Sequence, residues 1–176
     1  MTGRRCDTPE SGHFVPFLDF RTYEAEEARI TQGAPLVTPR QPFGDRILTW
    51  SGTGFMRLPP QSSIEFVIDN IPRSKLYDVV VRYEPQVTGR WNVQLSVKRP
   101  IGINPLSECA NYTKNSDIKQ LSLSSSERHI VVDSICLEEN TRYIIQLEIN
   151  EFERPSLEGE APSILIDSVC CMFNIK

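Results

Sequence analysis

The chain has 176 residues, 39% of them hydrophobic, with 19 basic and 23 acidic side chains and a net charge of −4. That is enough apolar material for one domain with its own core, and too much for a chain disordered throughout. The slightly acidic balance offers no basic stripe to nucleic acid, and no apolar run approaches the ~18 residues that cross a bilayer as a helix.

The opening stretch, Met1-Thr2-Gly3-Arg4-Arg5-Cys6-Asp7, lacks the apolar region of a signal peptide. Export would then depend on sequence outside this chain. Residues 1–13 read as the tail of a preceding module and 14–176 as a single domain. A first strand is expected over 18–28, with at most one helical turn near 26–30. The next falls over 49–58, where Trp50-Ser51-Gly52-Thr53-Gly54-Phe55 sets two aromatics around two glycines.

From there the dominant period is two. Ile64, Phe66 and Ile68 alternate with Glu65, Val67 and Asp69, and Val93, Leu95 and Val97 with Gln94, Ser96 and Lys98. Tyr143, Ile145, Leu147 and Ile149 alternate with Ile144, Gln146 and Glu148. Successive strand side chains point to opposite faces, so each run supplies one core face and one mostly polar face. Val79-Val80-Val81-Arg82-Tyr83 is apolar enough for a central strand, and further strands are expected over 118–123, 128–132 and 163–173. Turn signals separate them, among them Pro59-Pro60, Ile71-Pro72-Arg73-Ser74 and Ser124-Ser125-Ser126. Most of the 13 prolines fall in such breaks, because proline cannot donate to a central ladder. Eight or nine short strands with frequent turns predict an all-β fold, an antiparallel β-sandwich or jelly roll.

Few constellations could carry chemistry. In Tyr23-Glu24-Ala25-Glu26, a strand would place both carboxylates on one face, where they repel unless a cation or basic partner joins them. A third carboxylate, Asp167, lies in the apolar run Leu165-Ile166-Asp167-Ser168 and needs compensation. One reading joins Glu24, Glu26 and Asp167 around a structural calcium, a hard cation that tolerates irregular oxygen geometry. The other is a solvated acidic face, with Asp167 paired to an arginine. Glycoside hydrolysis needs two carboxyl groups across a cleft, which neighbours on one strand do not provide. His13 and His129 sit in no recognisable triad or zinc spacing, and no glycine-rich phosphate loop is present.

Trp50, Phe55 and Trp91 could stack on sugar rings if exposed. As core anchors, the commoner use of such residues, they would be buried. The five cysteines are an odd count, so at least one thiol is free or pairs outside the chain. Cys109 and Cys136 each lie beside an expected strand end. They are either two unrelated buried thiols or a bridge worth about 3–4 kcal/mol in the chain-entropy view. Cys170 and Cys171 are adjacent, so on a strand they face opposite ways and do not bridge. Asn111-Tyr112-Thr113 is the one acceptor triplet for N-linked glycan, in a polar stretch two residues after Cys109.

Several segments in register resemble one family. Gly3-Arg4-Arg5-Cys6-Asp7 with Glu10-Ser11-Gly12 resembles the end of a laminin-type EGF-like repeat. Leu18-Asp19, Tyr23-Glu24-Ala25-Glu26-Glu27-Ala28, Asp45-Arg46-Ile47 and Trp50-Ser51-Gly52 follow. Gly54-Phe55-Met56-Arg57-Leu58, Glu65-Phe66-Val67-Ile68-Asp69-Asn70-Ile71-Pro72 and Arg82-Tyr83-Glu84-Pro85-Gln86 come next. Val97-Lys98-Arg99-Pro100, Ile135-Cys136-Leu137-Glu138 and Ile166-Asp167-Ser168 complete the series. From about residue 12 to 172 this order is similar to the LF domain of laminin β chains, also called laminin domain IV type B.

The resemblance implies a secreted, non-catalytic module in the short arm of a basement-membrane laminin β chain, joined to α and γ chains through the parent heterotrimer. A matrix protein or glycan would be its further partner, and a glycan-binding module is the alternative reading. It implies a sandwich similar to galactose-binding-like carbohydrate-binding modules, in which a Glu-Ala-Glu strand and a last-strand aspartate hold calcium: here Glu24, Glu26 and Asp167. It also implies a Cys109–Cys136 disulfide and a glycan on Asn111, because laminins pass through an oxidising compartment. Cys6 would belong to the preceding repeat. Cys170 and Cys171 depart from the pattern, standing where Val or Leu is expected, and an expected cysteine is missing from the ending Met172-Phe173-Asn174-Ile175-Lys176. A fragment of a longer protein or a divergent β chain would account for both departures.

Overall fold

A computed structural model describes residues 21–39, 52–69, 71–99, 101–112, 117–153 and 162–173. Its strands are β1 (Arg21–Glu24), β2 (Arg29–Gln32), β3 (Leu36–Pro39) and β4 (Gly54–Leu58). Then come β5 (Ser62–Ile68), β6 (Lys75–Pro85), β7 (Arg90–Lys98) and β8 (Ile118–Ser124). The last three are β9 (His129–Leu137), β10 (Tyr143–Glu153) and β11 (Ile164–Phe173). All strand pairs among the described residues are antiparallel.

The strands form two sheets. One has the order β3-β4-β11-β6-β9, with β1 also beside β11; the other runs β2-β5-β10-β7-β8. The alternating runs decide the packing. Ile64, Phe66, Ile68, Val93, Leu95, Val97, Ile145, Leu147 and Ile149 line the inner face of the second sheet and are buried. Met56, Leu58, Tyr77, Val79, Val81, Tyr83, Ile164, Ile166 and Val169 face them from the first. Each buried aliphatic of this kind contributes about 1.5–3 kcal/mol relative to an exposed one. The expected all-β antiparallel sandwich is the fold.

Two local expectations fail. The single strand expected over 18–28 is broken: Glu24 ends β1, and Ala25–Glu27 forms a 3-10 turn closed by the Ala28 amide on the Ala25 carbonyl at 3.1 Å. Ala25 is fully buried there, and the turn packs on β4 and β11. Glu24 and Glu26 therefore do not share a strand face. The short strands β2 and β3 were not expected at all, since both lie mostly exposed without apolar alternation.

β11 is the organising strand. It pairs with β6 from Ile164 to Phe173, so its other edge serves both β4, along Ile164–Ile166, and β1, along Ser168–Cys171. Asp167 falls at the junction, where the register with β6 also shifts.

Candidate metal centre

The broken strand brings Glu24 and Glu26 together by another route. From the 3-10 turn, Glu26 turns its carboxylate onto the loop before β4. Its Oε1 accepts hydrogen bonds from the amides of Thr53 at 2.7 Å and Gly54 at 3.2 Å, and from the Thr53 hydroxyl at 3.2 Å. Burial alone would raise the carboxyl, but the amides of Thr53 and Gly54 and the Thr53 hydroxyl hold it below the ordinary glutamate range. Its second oxygen, Oε2, is buried and takes part in no hydrogen bond.

Gly52 is the floor of this arrangement. Its φ of +68° suits glycine, and a Cβ there would stand 2.5 Å from Glu26 Oε1 and 2.7 Å from Glu24 Oε2. Both carboxylates thus reach one point, and only a residue without a side chain leaves room for them. Asp167 is fully buried, and its Oδ2 accepts a 2.9 Å hydrogen bond from the Ser168 hydroxyl. The pairing of Glu24 with Ser168 places it one residue along the strand from Glu24. As placed, however, no three His, Cys, Asp or Glu side chains among the described residues form a group that could hold a metal ion. The structure brings Glu24 and Glu26 together and does not gather Asp167 into the same cluster. The Glu26 oxygen beside Gly52 is the hydrogen-bonded Oε1, and the buried Oε2 is the one left with a free lone pair for a cation.

The other expected positions divide cleanly. Trp91 is fully buried and stacks on Phe152 with ring centroids 4.4 Å apart; Phe55 is buried too. Trp91 is a core anchor, while Phe55 lies on the face of β4 opposite the core residues Met56 and Leu58. Trp50 and Cys6 lie outside the described residues. Cys109 and Cys136 form a disulfide. Cys170 and Cys171 are both buried free thiols. Cys171 faces the core, where burial pushes its thiol up to about 12. Cys170 lies on the opposite face with Thr22 Oγ1 at 3.4 Å from its sulfur.

Sequence reasoning missed the most elaborate polar cluster. Arg99 donates to both Asp117 oxygens, Nε to Oδ2 and Nη2 to Oδ1, at 2.7 Å each, and Nη2 also reaches the Cys136 carbonyl at 2.7 Å. Its guanidinium lies 4.9 Å from the Tyr112 ring centre and 5.3 Å from that of Tyr143. Burial opposes its charge, yet the hydrogen bonds and charge of Asp117 hold its pKa above the usual arginine value. Glu138 fastens the same loop, its Oε1 accepting from the Asn104 amide at 2.9 Å and the Ser107 hydroxyl at 2.5 Å. With the disulfide, these contacts pin the long β7–β8 connection to the end of β9. No motif joins residues 18 apart across a loop, so the sequence carried no signal of this pair.

Comparison with known proteins places the chain. A family model, the laminin IV type B domain, matches residues 19–176. Mouse laminin subunit beta-1 is 38% identical over 174 residues, 98% of this chain and 10% of its own length. The human beta-1 subunit is 40% identical over 165 residues, covering 93% of this chain and 9% of its own. The human beta-2 subunit is 32% identical over 89% of this chain and 9% of its own. The chain thus spans about a tenth of the length of these relatives. Among solved structures, a CBM36 domain of a termite-hindgut metagenome xylanase superposes with TM-score 0.51 and 10% identity, covering 86% of this chain and 95% of that one. A family 35 carbohydrate-binding module from an environmental isolate gives 0.51 and 16%, covering 88% and 93%. At such identity these structures speak for the fold alone. No described helix is long and apolar enough to cross a membrane. By its sequence across almost the whole length, this chain belongs to the laminin IV type B domain family.

Proposed function

We propose that the chain is a non-catalytic, extracellular module of a laminin β-chain short arm, a compact globular unit set among elongated repeats of a basement-membrane protein. Similarity to laminin β subunits supports that parent protein; assembly with α and γ chains would belong to the whole protein and reach this module through it. The observation that favours an architectural unit over a sugar-reading one is the burial of Trp91 and Phe55. A glycan platform presents aromatic faces to solvent, whereas Trp91 is spent on the core and Phe55 is buried on the face of β4 opposite Met56 and Leu58.

Within that reading, Glu24 and Glu26 would hold a structural calcium, with Asp167 adding negative charge from the neighbouring strand. Bound there, the ion would supply positive charge to two carboxylates that otherwise face each other across Gly52. Its role would be to fasten the 3-10 turn to the β4 loop, without entering any reaction.

The test of the architectural reading is a glycan array on the secreted chain, paired with iodide quenching of a Trp50→Phe variant in which Trp91 is the one remaining tryptophan. Absence of glycan retention with an unquenched Trp91 supports it. Saturable, competable retention of one glycan class would replace it with the carbohydrate-binding alternative.

A further inference from the structure

β9 ends the first sheet, and among the described residues no strand pairs with its far side. It is nine residues long, whereas the edge strands β2 and β3 have four each. Its hydrogen-bond parity follows from one bond. Tyr83 donates its amide to the Arg128 carbonyl at 2.9 Å, one step beyond the Arg82–His129 pair. Antiparallel partners alternate between bonded and open pairs, so Arg82–His129 and Val80–Val131 are open. The amides and carbonyls of His129 and Val131 therefore point away from β6, toward the free edge. An open groove of about 500 Å³ is lined there by residues 126–131 alone, and Val131 is 47% exposed. Such an edge is a template for another strand unless it is blunted. Blunting begins only past Val132, where Ser134 takes a φ of 61° at a bulge opposite Asp78.

The side chains along this edge have a direction. Asp78 and Arg82 alternate on β6 with the core residues Tyr77, Val79, Val81 and Tyr83, so both lie on the outer face of the sheet. His129, Val131 and Asp133 are exposed on the same face, alternating with core Val132. Arg82 and His129 thus form one end that donates to carboxylates. Asp133, with Asp78 accepting from the Ser134 amide at 3.4 Å, forms an acidic end.

Turned end for end, this pattern fits itself. Two copies of β9 set antiparallel about Val131 bring Val131 against Val131, and His129 of each against Asp133 of the other. The donating end of one copy then meets the acidic end of its partner twice, by symmetry. Residues whose backbone groups face outward meet residues of the same kind, so ladder bonds form across the axis. We propose that β9 pairs in this way with β9 of a second copy of the chain, joining two first sheets into one continuous sheet. So short a run is a small contact, and the association is weak and reversible. It ties two modules side by side.

Sedimentation equilibrium of the full chain, up to about 1 mM, reads the association in the range where small contacts form. Val131→Pro removes an amide that the single copy does not use, so it should leave the melting temperature in place and abolish the dimer. His129→Asp should weaken association about tenfold, because it sets aspartate against Asp133 of the other copy. Adding Asp133→His to that variant should restore it. A chain that stays monomeric throughout overturns the inference, as do dimers that persist unchanged in Val131→Pro. Should the proline lower the melting temperature, His129→Asp decides instead: the position is exposed, and undiminished association in that folded variant overturns the pairing.

Discussion

Arg99 and Asp117 meet fork to fork, two hydrogen bonds of 2.7 Å between side chains that are only 7% and 10% exposed. A pair this dry costs a great deal to halve, because the surviving charge stays buried without its counterion. Arg99→Ala should lower stability by about 3–5 kcal/mol. Arg99→Lys should recover only a fraction of it, since an ammonium cannot make both bonds and reach the Cys136 carbonyl as well. Urea unfolding followed by circular dichroism checks the series, and a loss below about 1 kcal/mol for Arg99→Ala would show the pair to be ornamental.

Calcium should raise the melting temperature over excess chelator. At a hundredfold excess over Kd the linkage is about 2.7 kcal/mol, a shift of about 5–10 °C for a domain of this size. Glu26→Gln should abolish the shift while keeping the side chain's shape. Gly52→Ala should do the same by driving a methyl between the carboxylates, with added backbone strain at φ +68°. Equal melting curves with calcium and chelator would remove the metal from the account.

Acid should destabilise the fold through Glu65. Lys98 first, and Arg29 with it, holds this buried carboxyl below its ordinary value of 4.5. A depressed folded pKa contributes stability above the unfolded value, and that contribution is lost as pH falls through the folded one. Glu26 works in the same direction. Melting temperature should therefore hold steady above about pH 5 and fall below 4.5, and Glu65→Gln should flatten the fall. An unchanged slope in that variant would assign the acid limb to other carboxylates.

Thiol chemistry gives a clock for unfolding. Cys170 and Cys171 are both buried, and the Cys171 thiol is pushed up to about 12 by its surroundings. Neither should react with iodoacetamide in the native state at about pH 8; both should label as the protein unfolds, with the same midpoint as circular dichroism. Fast labelling of Cys170 without unfolding would mean that its face opens on its own.

Reduction of Cys109–Cys136, or a Cys136→Ser variant, should cost about 3–4 kcal/mol by the chain-entropy argument. Most of the change should appear in the β7–β8 connection. Hydrogen exchange there should accelerate while β10 stays protected, since Ile144 to Ile149 is held by neighbours on both sides.

The sandwich was legible because its core strands alternate. Ile64, Phe66 and Ile68, or Tyr143 to Ile149, have no other way to bury one face, and a shift by one residue would expose them all. β2 and β3 were illegible for the converse reason: their side chains are mostly exposed, and pairing with β5 and β4 makes them strands. The acidic segment was half legible. Two glutamates two apart announced a charge problem, but the pleat argument assumed a strand where buried Ala25 enforces a turn. Gly52 could not be tied to them from sequence, because its contact with Glu26 joins distant positions and depends on the fold. Arg99 and Asp117 were hidden in the same way.

The pairing of β1 with β11 has a mechanical side. Arg21 opens β1 opposite Cys171, two residues short of the end of β11, so the described chain comes in and goes out at the same edge of the sandwich. Tension applied at those two points pulls across the strands instead of along them. Hydrogen bonds loaded that way break in succession, rung after rung, as a zipper opens, and do not resist together as they would in shear. The four rungs from Arg21 to Glu24 would be the first to go, and the last of them stands beside the glutamates that flank Gly52. A pull applied there would load this seam before the paired strands of the core.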